Sequence, residues 1–281
     1  RIAIQSKGRL YEESMALLEE AGIKIPGGKR TLLVPARNFP VEVLFLRDDD
    51  IPESVASGVA DVGIVGLNEV MEKRCPVGIL KKLGFGKCRL SLAIPQDIDY
   101  QDRNWFSGKK IATSYPGILS DYLHKNGIVS DIHVITGSVE IAPGIRLADA
   151  IFDIVSSGST LVSNRLKEVE TVVESEAVLI GTDSISPEKR GILDELLFRF
   201  DSVQAADDKK YILMNVPQKK LNDVLSVLPG IKSPTVMPLA DKEWCSVHTV
   251  LDEKCFWEII NRLKMAGAEG ILVLDIEKMI L

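Results

Sequence analysis

Short apolar runs alternate with segments of helical spacing in the first part of the chain. Ile2-Ala3-Ile4 predicts a strand, and the helix that follows has one apolar face between Leu10 and Ala21, with Gly22 at its end. Further strands are predicted at residues 31–35, 41–46 and 61–66, with a short helix at 51–55. This alternation over residues 1–90 is typical of a parallel α/β sheet.

A second run with the same alternation begins at the strand predicted for residues 90–95. Strands follow at 109–114, 132–136 and 150–155, with helices at 119–126 and within 139–148, and two strands at 171–175 and 177–181 return the chain to the first lobe. The predicted fold class is α/β, with a two-lobed core like that of periplasmic binding proteins. Residues 1–90 with about 176–203 form lobe I and 91–175 form lobe II. A cleft between such lobes is a common ligand site.

Residues 205–281 follow a different pattern. The predicted order is strand, helix, strand, strand, helix, strand, at 211–216, 221–228, 235–239, 245–251, 256–263 and 270–276. This is the order of the ferredoxin-like unit. The polar stretch 204–210 is predicted to be the linker. A small domain added to a two-lobed core suggests regulation or oligomerisation, although a fold alone does not define a function.

Composition and charge narrow the classes of partner. The 281 residues are 46% hydrophobic and 26% charged, as in an ordinary globular protein, and the net charge of −6 disfavours nucleic acid or an acidic membrane as the main partner. We expect no signal peptide, because the chain opens on a predicted strand, and the sequence contains no apolar stretch of the ~18 residues that span a membrane. Cys75, Cys88, Cys245 and Cys255 form no C-x-x-C pair, so we predict a cytoplasmic protein without a zinc site.

The loop after the strand at 150–155 has the composition of a phosphate site. Ser156-Ser157-Gly158-Ser159-Thr160 offers hydroxyl donors, and its glycine lets the backbone approach a ligand where a helix starts. Asp153, just before it, is placed to hold a ribose hydroxyl or a magnesium ion, which favours a sugar phosphate. The alternative is a serine-capped turn with no ligand. The loop is neither a Walker A motif nor a Rossmann fingerprint.

Other polar residues also follow predicted strands, the edge where α/β sheets bind ligands. Lys7 and Arg9 follow the first strand and are either anion ligands or a solvated loop. Arg47 either binds substrate or pairs with the acidic residues beside it. Tyr115 either packs at a turn or stacks on a base. No nucleophile and base stand at a known catalytic spacing, which favours catalysis by positioning and charge stabilisation.

Ordered motifs along nearly the whole chain resemble one family. They include IAIQSKGRL, FLRDDDIP, DVGIVG, GFGKCRLSLA, KKIATSYP, GSVEIAP, SPTVMPLA and GAEGILVLDIEKM, with DIVSSGSTL at the loop. Together they are similar to the long form of ATP phosphoribosyltransferase, the first enzyme of histidine biosynthesis. One departure is Arg146, where the family usually has glycine.

The resemblance implies an activity and roles for residues. The family transfers the phosphoribosyl group of phosphoribosyl pyrophosphate to N1 of the adenine of ATP, and needs Mg²⁺ held mainly by substrate phosphates. The implied catalytic residues are Glu140 and Asp153, and the implied phosphoribosyl ligands are Ser156, Ser157, Gly158, Ser159 and Thr160. The implied contacts to ATP and pyrophosphate are Lys7, Arg9, Arg47, Asp61 and Tyr115.

The resemblance also implies regulation. In this family the C-terminal domain binds histidine as a feedback inhibitor, here at Asn215 and Thr235, and the chains form dimers and histidine-stabilised hexamers. For both residues the alternative is turn and strand capping. Two alternatives to the enzyme remain open at this point: a two-lobed solute-binding protein and a nucleotide-sensing regulator without turnover.

Overall fold

The computed structural model describes residues 1–27, 32–229 and 234–280. Its residues cluster in two compact units, Arg1–Asp194 and Glu195–Leu281. The described helices are α1 (Arg9–Glu20), α2 (Ile51–Ala56), α3 (Leu67–Lys73), α4 (Pro116–Lys125), α5 (Ser159–Ser163), α6 (Pro187–Ala206), α7 (Leu221–Val227) and α8 (Glu253–Ala266).

The described strands occupy three sheets. In the first unit they are β1 (Ile2–Gln5), β2 (Leu33–Pro35), β3 (Glu42–Leu46), β4 (Val62–Gly66), β5 (Gly78–Lys82), β6 (Cys88–Pro95), β7 (Lys110–Thr113), β8 (Asp131–Val134), β9 (Ala150–Val155), β10 (Leu166–Ser175) and β11 (Ala177–Gly181). In the second they are β12 (Lys209–Pro217), β13 (Thr235–Pro238), β14 (Trp244–Asp252) and β15 (Glu269–Asp275).

The first sheet has the order β2-β3-β1-β4-β11-β5 in the described chain. Only its centre is parallel, where β1 pairs with β3 and β4. β2, β11 and β5 run antiparallel to their neighbours, so the prediction of a parallel sheet was wrong at both edges. The connection from β2 to β3 is too short for a crossover, and the two strands form a hairpin instead.

The second sheet has the order β10-β6-β9-β7-β8. β7 lies parallel to β8 and β9, while β6 pairs antiparallel with both β9 and β10. Its core includes the fully buried Leu92, Phe106 and Phe152. The strand predicted at 171–175 belongs to this sheet as the end of β10, and only β11 returns the chain to the first sheet. The helix predicted within 139–148 is reduced to one 3₁₀ turn, Val139–Ile141.

The third sheet has the order β13-β14-β12-β15, with every described pair antiparallel. With α7 and α8 this is the predicted ferredoxin-like arrangement, and the core on the helix side includes Met214, Val247, Phe256 and Leu263. Gly267 ends α8 in the left-handed conformation, at φ 106°. The predicted linker at 204–210 is instead the end of α6 and the start of β12. Among the helices that the structure describes, none has the length and apolarity needed to cross a membrane.

Candidate functional site

The candidate phosphate loop connects β9 to α5. Gly158 precedes α5 with φ 80°, a left-handed conformation that favours glycine. The hydroxyls of Ser157 and Ser159 lie 3.0 Å apart, and both side chains are exposed with that of Thr160. Within the described chain, the amide N–H groups of Ser157 and Gly158 donate no hydrogen bond. Because α5 has only one turn, these N–H groups and hydroxyls, rather than a helix dipole, are the groups that can hold an anion.

A cavity of ≈ 140 Å³ brings the predicted catalytic carboxylates to this loop. Asp153 and Glu140 line it, together with the loop residues Ser156, Ser157, Gly158 and Thr160. Burial, and to a smaller extent the charge of Glu140, raises the pKa of Asp153 to about 6, although the backbone N–H of Ile154 opposes the shift. The cavity therefore combines donors for a phosphate with carboxylate acceptors for sugar hydroxyls.

A second cavity, of ≈ 230 Å³, joins the loop to the first sheet of the same unit. Ile154 and Ser156 line it from the second sheet, and Gln5 and Arg9 line it from the carboxyl end of β1. Arg9 is therefore brought to the predicted site, where its Nε also lies 3.1 Å from Glu13 Oε1. Lys7 is exposed in the same turn, outside the residues that line these cavities.

A third cavity, of ≈ 460 Å³, contains basic residues, of which Lys87 and Arg89 were given no role from the sequence. Lys82, Lys87 and Arg89 line it beside Ser156. Their signal in the sequence is a basic cluster with two glycines, Gly84 and Gly86, directly before the buried strand β6. Both glycines have positive φ. Lys82 pairs with Glu176 and Arg89 pairs with Glu168, so Lys87 is the lining cation without an ion pair to a described residue, and it can attract a polyphosphate.

Tyr115 packs inside the protein, the first of its two interpretations, and is not placed to stack on a base. It is 7% exposed in the core of the second sheet, and its hydroxyl donates to Glu69 Oε1 at 2.8 Å and accepts from Asn68 Nδ2 at 3.2 Å. Burial and the nearby Glu69 carboxylate raise the pKa of Tyr115. Burial raises that of Glu69 as well. The tyrosine therefore links the two sheets of the first unit through α3.

Arg47 and Asp61 are not brought to these cavities. Arg47 Nε lies 3.2 Å from Asp49 Oδ1 and the side chain is exposed, as in the local ion pair considered for it. Asp61 precedes β4 and so lies at the sheet edge opposite the carboxyl ends of β1 and β3. It accepts a hydrogen bond from Lys189 Nζ at 2.8 Å.

Arg146 has φ 61°, in the left-handed region. A residue with a Cβ is strained there by roughly 1 kcal/mol, which explains why glycine suits this position. We expect Arg146→Gly to raise the free energy of unfolding by up to about 1 kcal/mol, the relief being offset in part by the greater freedom of glycine in the unfolded chain. Urea denaturation measures the change. Ala16→Gly, exposed in the interior of α1, is the control and should lower stability by about 1 kcal/mol; equal losses in both variants would contradict the argument.

Asn215 and Thr235 lie on the face of the third sheet that α7 and α8 do not cover. In the strand register Asn215 is opposite Ser246, and Thr235 is opposite His248. The His248 ring is held from both sides, with Nδ1 2.7 Å from the hydroxyl of Tyr211 and Nε2 2.9 Å from Ser246 Oγ. The two predicted residues therefore flank one polar patch on an open sheet face.

The fold and the cavities define a two-sheet α/β protein with a candidate phosphate loop and a ferredoxin-like domain. A family model described as ATP phosphoribosyltransferase matches residues 47–202, and one described as HisG, C-terminal domain matches 206–278. ATP phosphoribosyltransferases of Bacteroides fragilis and Phocaeicola vulgatus are each 70% identical over 281 residues, covering 100% of this chain and 99% of theirs.

A solved structure gives the same result. The chain resembles one in an ATP phosphoribosyl transferase (HisG:HisZ) complex from Thermotoga maritima, with a TM-score of 0.61 and 27% identity over 71% of this chain and 97% of that chain. The chain belongs to the ATP phosphoribosyltransferase family, enzymes that transfer a pentosyl group in the first step of histidine biosynthesis.

Proposed function

We propose that this chain transfers the phosphoribosyl group of phosphoribosyl pyrophosphate to N1 of the adenine of ATP. The observation that carries the proposal is the ≈ 140 Å³ cavity in which the loop meets Asp153 and Glu140. In the reaction the bond from the ribose C1 to pyrophosphate breaks and a bond from C1 to N1 forms. Pyrophosphate leaves, so the products are phosphoribosyl-ATP and pyrophosphate.

The residues have complementary roles in this scheme. The loop Ser156–Thr160 holds the 5-phosphate through its hydroxyls and free N–H groups, as phosphate-binding loops do. The Asp153 carboxylate accepts hydrogen bonds from the ribose hydroxyls and, with Glu140, stabilises the positive charge that develops on the sugar as the C1–O bond breaks. Adenine N1 is unprotonated near neutral pH, so the reaction requires no strong general base.

Arg9 and Lys87 are the cations best placed for the leaving group and the ATP phosphates. Both line the ≈ 230 Å³ cavity beside Ser156. Lys87 is exposed and makes no ion pair with a described residue. Lys7 is exposed and stands two residues before Arg9, so its positive charge acts on the same anions without lining the cavity. Arg47, paired with Asp49, would have to leave that partner to reach a substrate.

We propose that Mg²⁺ enters with the substrates. The described residues include no cluster of three or more His, Cys, Asp or Glu side chains able to hold a metal, whereas Asp153 and Glu140 together supply two carboxylates. A magnesium site made of one or two carboxylates plus substrate phosphates is the usual form for this cation. When bound, Mg²⁺ would neutralise charge on the departing pyrophosphate.

The enzyme is tested by mixing it with ATP, phosphoribosyl pyrophosphate, Mg²⁺ and a pyrophosphatase and following the ultraviolet spectrum. Alkylation at N1 changes the adenine chromophore, so a new absorbance should grow only when both substrates are present. A protein that binds the substrates without any spectral change would instead be a nucleotide sensor or a solute-binding protein.

Phosphoribosyl pyrophosphate and ATP are cytoplasmic metabolites, and the four unpaired cysteines suit that compartment.

Histidine is proposed to inhibit through the open face of the third sheet. Asn215→Ala and Thr235→Ala should each raise the histidine concentration for half-inhibition by about tenfold, since each removes one polar contact to a charged ligand. Initial rates at increasing histidine measure the effect. Ser226→Ala, exposed on α7, is the control. Inhibition of equal strength in all three variants would contradict the placement.

We further propose that the chain forms dimers and, with histidine, hexamers. Inhibition at a distance requires histidine to bind one assembly better than the other. Mass photometry with and without histidine tests this, and a distribution of masses that histidine leaves unchanged would argue against coupling through assembly.

A further inference from the structure

An ion pair between Arg89 and Glu168 contacts the backbone of the candidate phosphate loop. Arg89 is the second residue of β6, and Glu168 lies on the neighbouring strand β10. Arg89 Nε and Nη2 donate to the two oxygens of Glu168 at 2.6 and 2.5 Å. This is the bidentate geometry that a guanidinium provides and an ammonium does not.

The third nitrogen of the same guanidinium reaches the loop. Arg89 Nη1 donates to the backbone carbonyl of Ser156 at 3.2 Å. In a trans peptide the C=O and the following N–H point in opposite directions. Holding the Ser156 carbonyl toward Arg89 therefore turns the N–H of Ser157 away from it. That N–H donates no hydrogen bond within the described chain, as expected of a group kept for a ligand.

Glu168 is itself held by several donors. Its Oε1 accepts from Ser91 Oγ at 2.7 Å and from Thr171 Oγ1 at 3.1 Å. Ser91 is the partner of Asp153 in the register between β6 and β9. The Glu168 side chain is only 24% exposed, and the hydrogen bonds from Arg89, despite burial, lower the pKa of its carboxyl group to about 2. Glu168 is therefore ionised at every pH at which the enzyme would be assayed.

We propose that Arg89, oriented by Glu168, is a positioning residue for the phosphate of the phosphoribosyl substrate. It sets the peptide between Ser156 and Ser157 so that the loop N–H groups face the cavity. The inference rests on the proposed function, because it assigns the loop to that phosphate. Neither side chain has to touch the reacting atoms.

Three variants test the proposal. Arg89→Lys keeps the charge but cannot bind both Glu168 oxygens and the Ser156 carbonyl, and Glu168→Gln removes the charge that orients the guanidinium. Glu170→Gln is the matched control, since Glu170 lies on the same strand, is similarly buried at 22% exposure and accepts a hydrogen bond from Tyr100 at 2.7 Å.

The first two variants should raise the KM for phosphoribosyl pyrophosphate about tenfold and the KM for ATP less than about threefold, as expected for the loss of one charge-assisted hydrogen bond on one substrate. Their double variant should be no worse than the more impaired single variant. Glu170→Gln should leave both constants unchanged. Equal rises for the two substrates, or the same rise in Glu170→Gln, would overturn the proposal.

Folding and the proposed function are checked separately. Circular dichroism and thermal midpoints show whether each variant folds; if the ion pair proves essential for folding, Thr171→Val removes one donor from Glu168 and should give a smaller rise in the same KM, and no rise would count against the proposal. A wild-type protein without turnover would refute the proposed function. Calorimetric titration with phosphoribosyl pyrophosphate alone would then decide the loop assignment: weaker binding in Arg89→Lys than in Glu170→Gln supports it, and equal binding refutes it.

Discussion

Asp153→Asn is expected to lower kcat by about 10²-fold while leaving the protein folded. Asp153 lies in the cavity with the phosphate loop and is the carboxylate proposed to stabilise positive charge on the ribose. An amide of the same size keeps a hydrogen-bond acceptor but loses the negative charge, and removing one electrostatic contact of this kind typically costs ~10²–10³ in rate. Initial rates at saturating substrates measure the loss. A variant with full activity would refute this role.

The pH dependence gives a second measure of the same residue. Because the pKa of Asp153 is raised to about 6 and the ionised form is the active one, kcat/KM for phosphoribosyl pyrophosphate should rise with pH through about 6. Glu140→Gln removes a charge that contributes to the shift, so the rise should move to lower pH. In Asp153→Asn the residual activity should not show this rise. A profile that is the same in all three proteins would assign the titration to another group.

The same shift has a consequence for stability. Between about pH 4 and 6 the folded protein keeps a proton on Asp153 that the unfolded chain has released, so stability falls as pH rises through this window and the penalty is constant above it. Asp153→Asn should therefore be more stable than the wild type at pH 7, by up to about 3 kcal/mol, and the gain should shrink toward pH 4. A variant that loses activity but gains stability would show that the buried charge is kept for function.

Local features of this chain were predictable from the sequence. The strand at 150–155 and the loop after it lie in one short segment, and a run of residues buried on both faces next to small polar residues is recognisable without tertiary information. The ferredoxin-like order was equally clear, because each of its helices has an apolar face at regular spacing. The family motifs then named the reaction, which the spacing of residues alone did not.

The features that were missed depend on contacts far apart in the chain. α3 begins directly after Gly66, the last residue of β4. Its role in linking the two sheets depends on the hydrogen bond between Tyr115 and Glu69, which are 46 residues apart in the sequence. The antiparallel direction of β11 depends on where the chain re-enters the first sheet. Arg89 reaches Ser156 across 67 residues because β6 and β9 are neighbours in the sheet. For Arg47 the two interpretations were balanced, and the structure contains the local ion pair with Asp49.

Gly158→Val is expected to raise the KM for phosphoribosyl pyrophosphate by tenfold or more. Gly158 has φ 80°, and a Cβ built there would meet only Val155 Cγ1 at 4.0 Å, so the site has space and the cost is in the backbone. A β-branched residue is strained by ~1–2 kcal/mol in this region, and the loop would change its path to escape that strain. The N–H groups of Ser157 and Gly158, which we propose hold the phosphate, would then lose their present arrangement.

Gly127→Val separates loss of the site from loss of stability. Gly127 also has a left-handed backbone, at φ 68°, with open space around its Cβ position, but it follows α4, away from the loop. Both variants should lose a similar free energy of unfolding in urea titrations. Only Gly158→Val should also bind phosphoribosyl pyrophosphate weakly, with the KM for ATP changed less than about threefold. If Gly127→Val lost substrate affinity to the same degree, the effect would be general strain, and the backbone of the loop would not be the phosphate ligand.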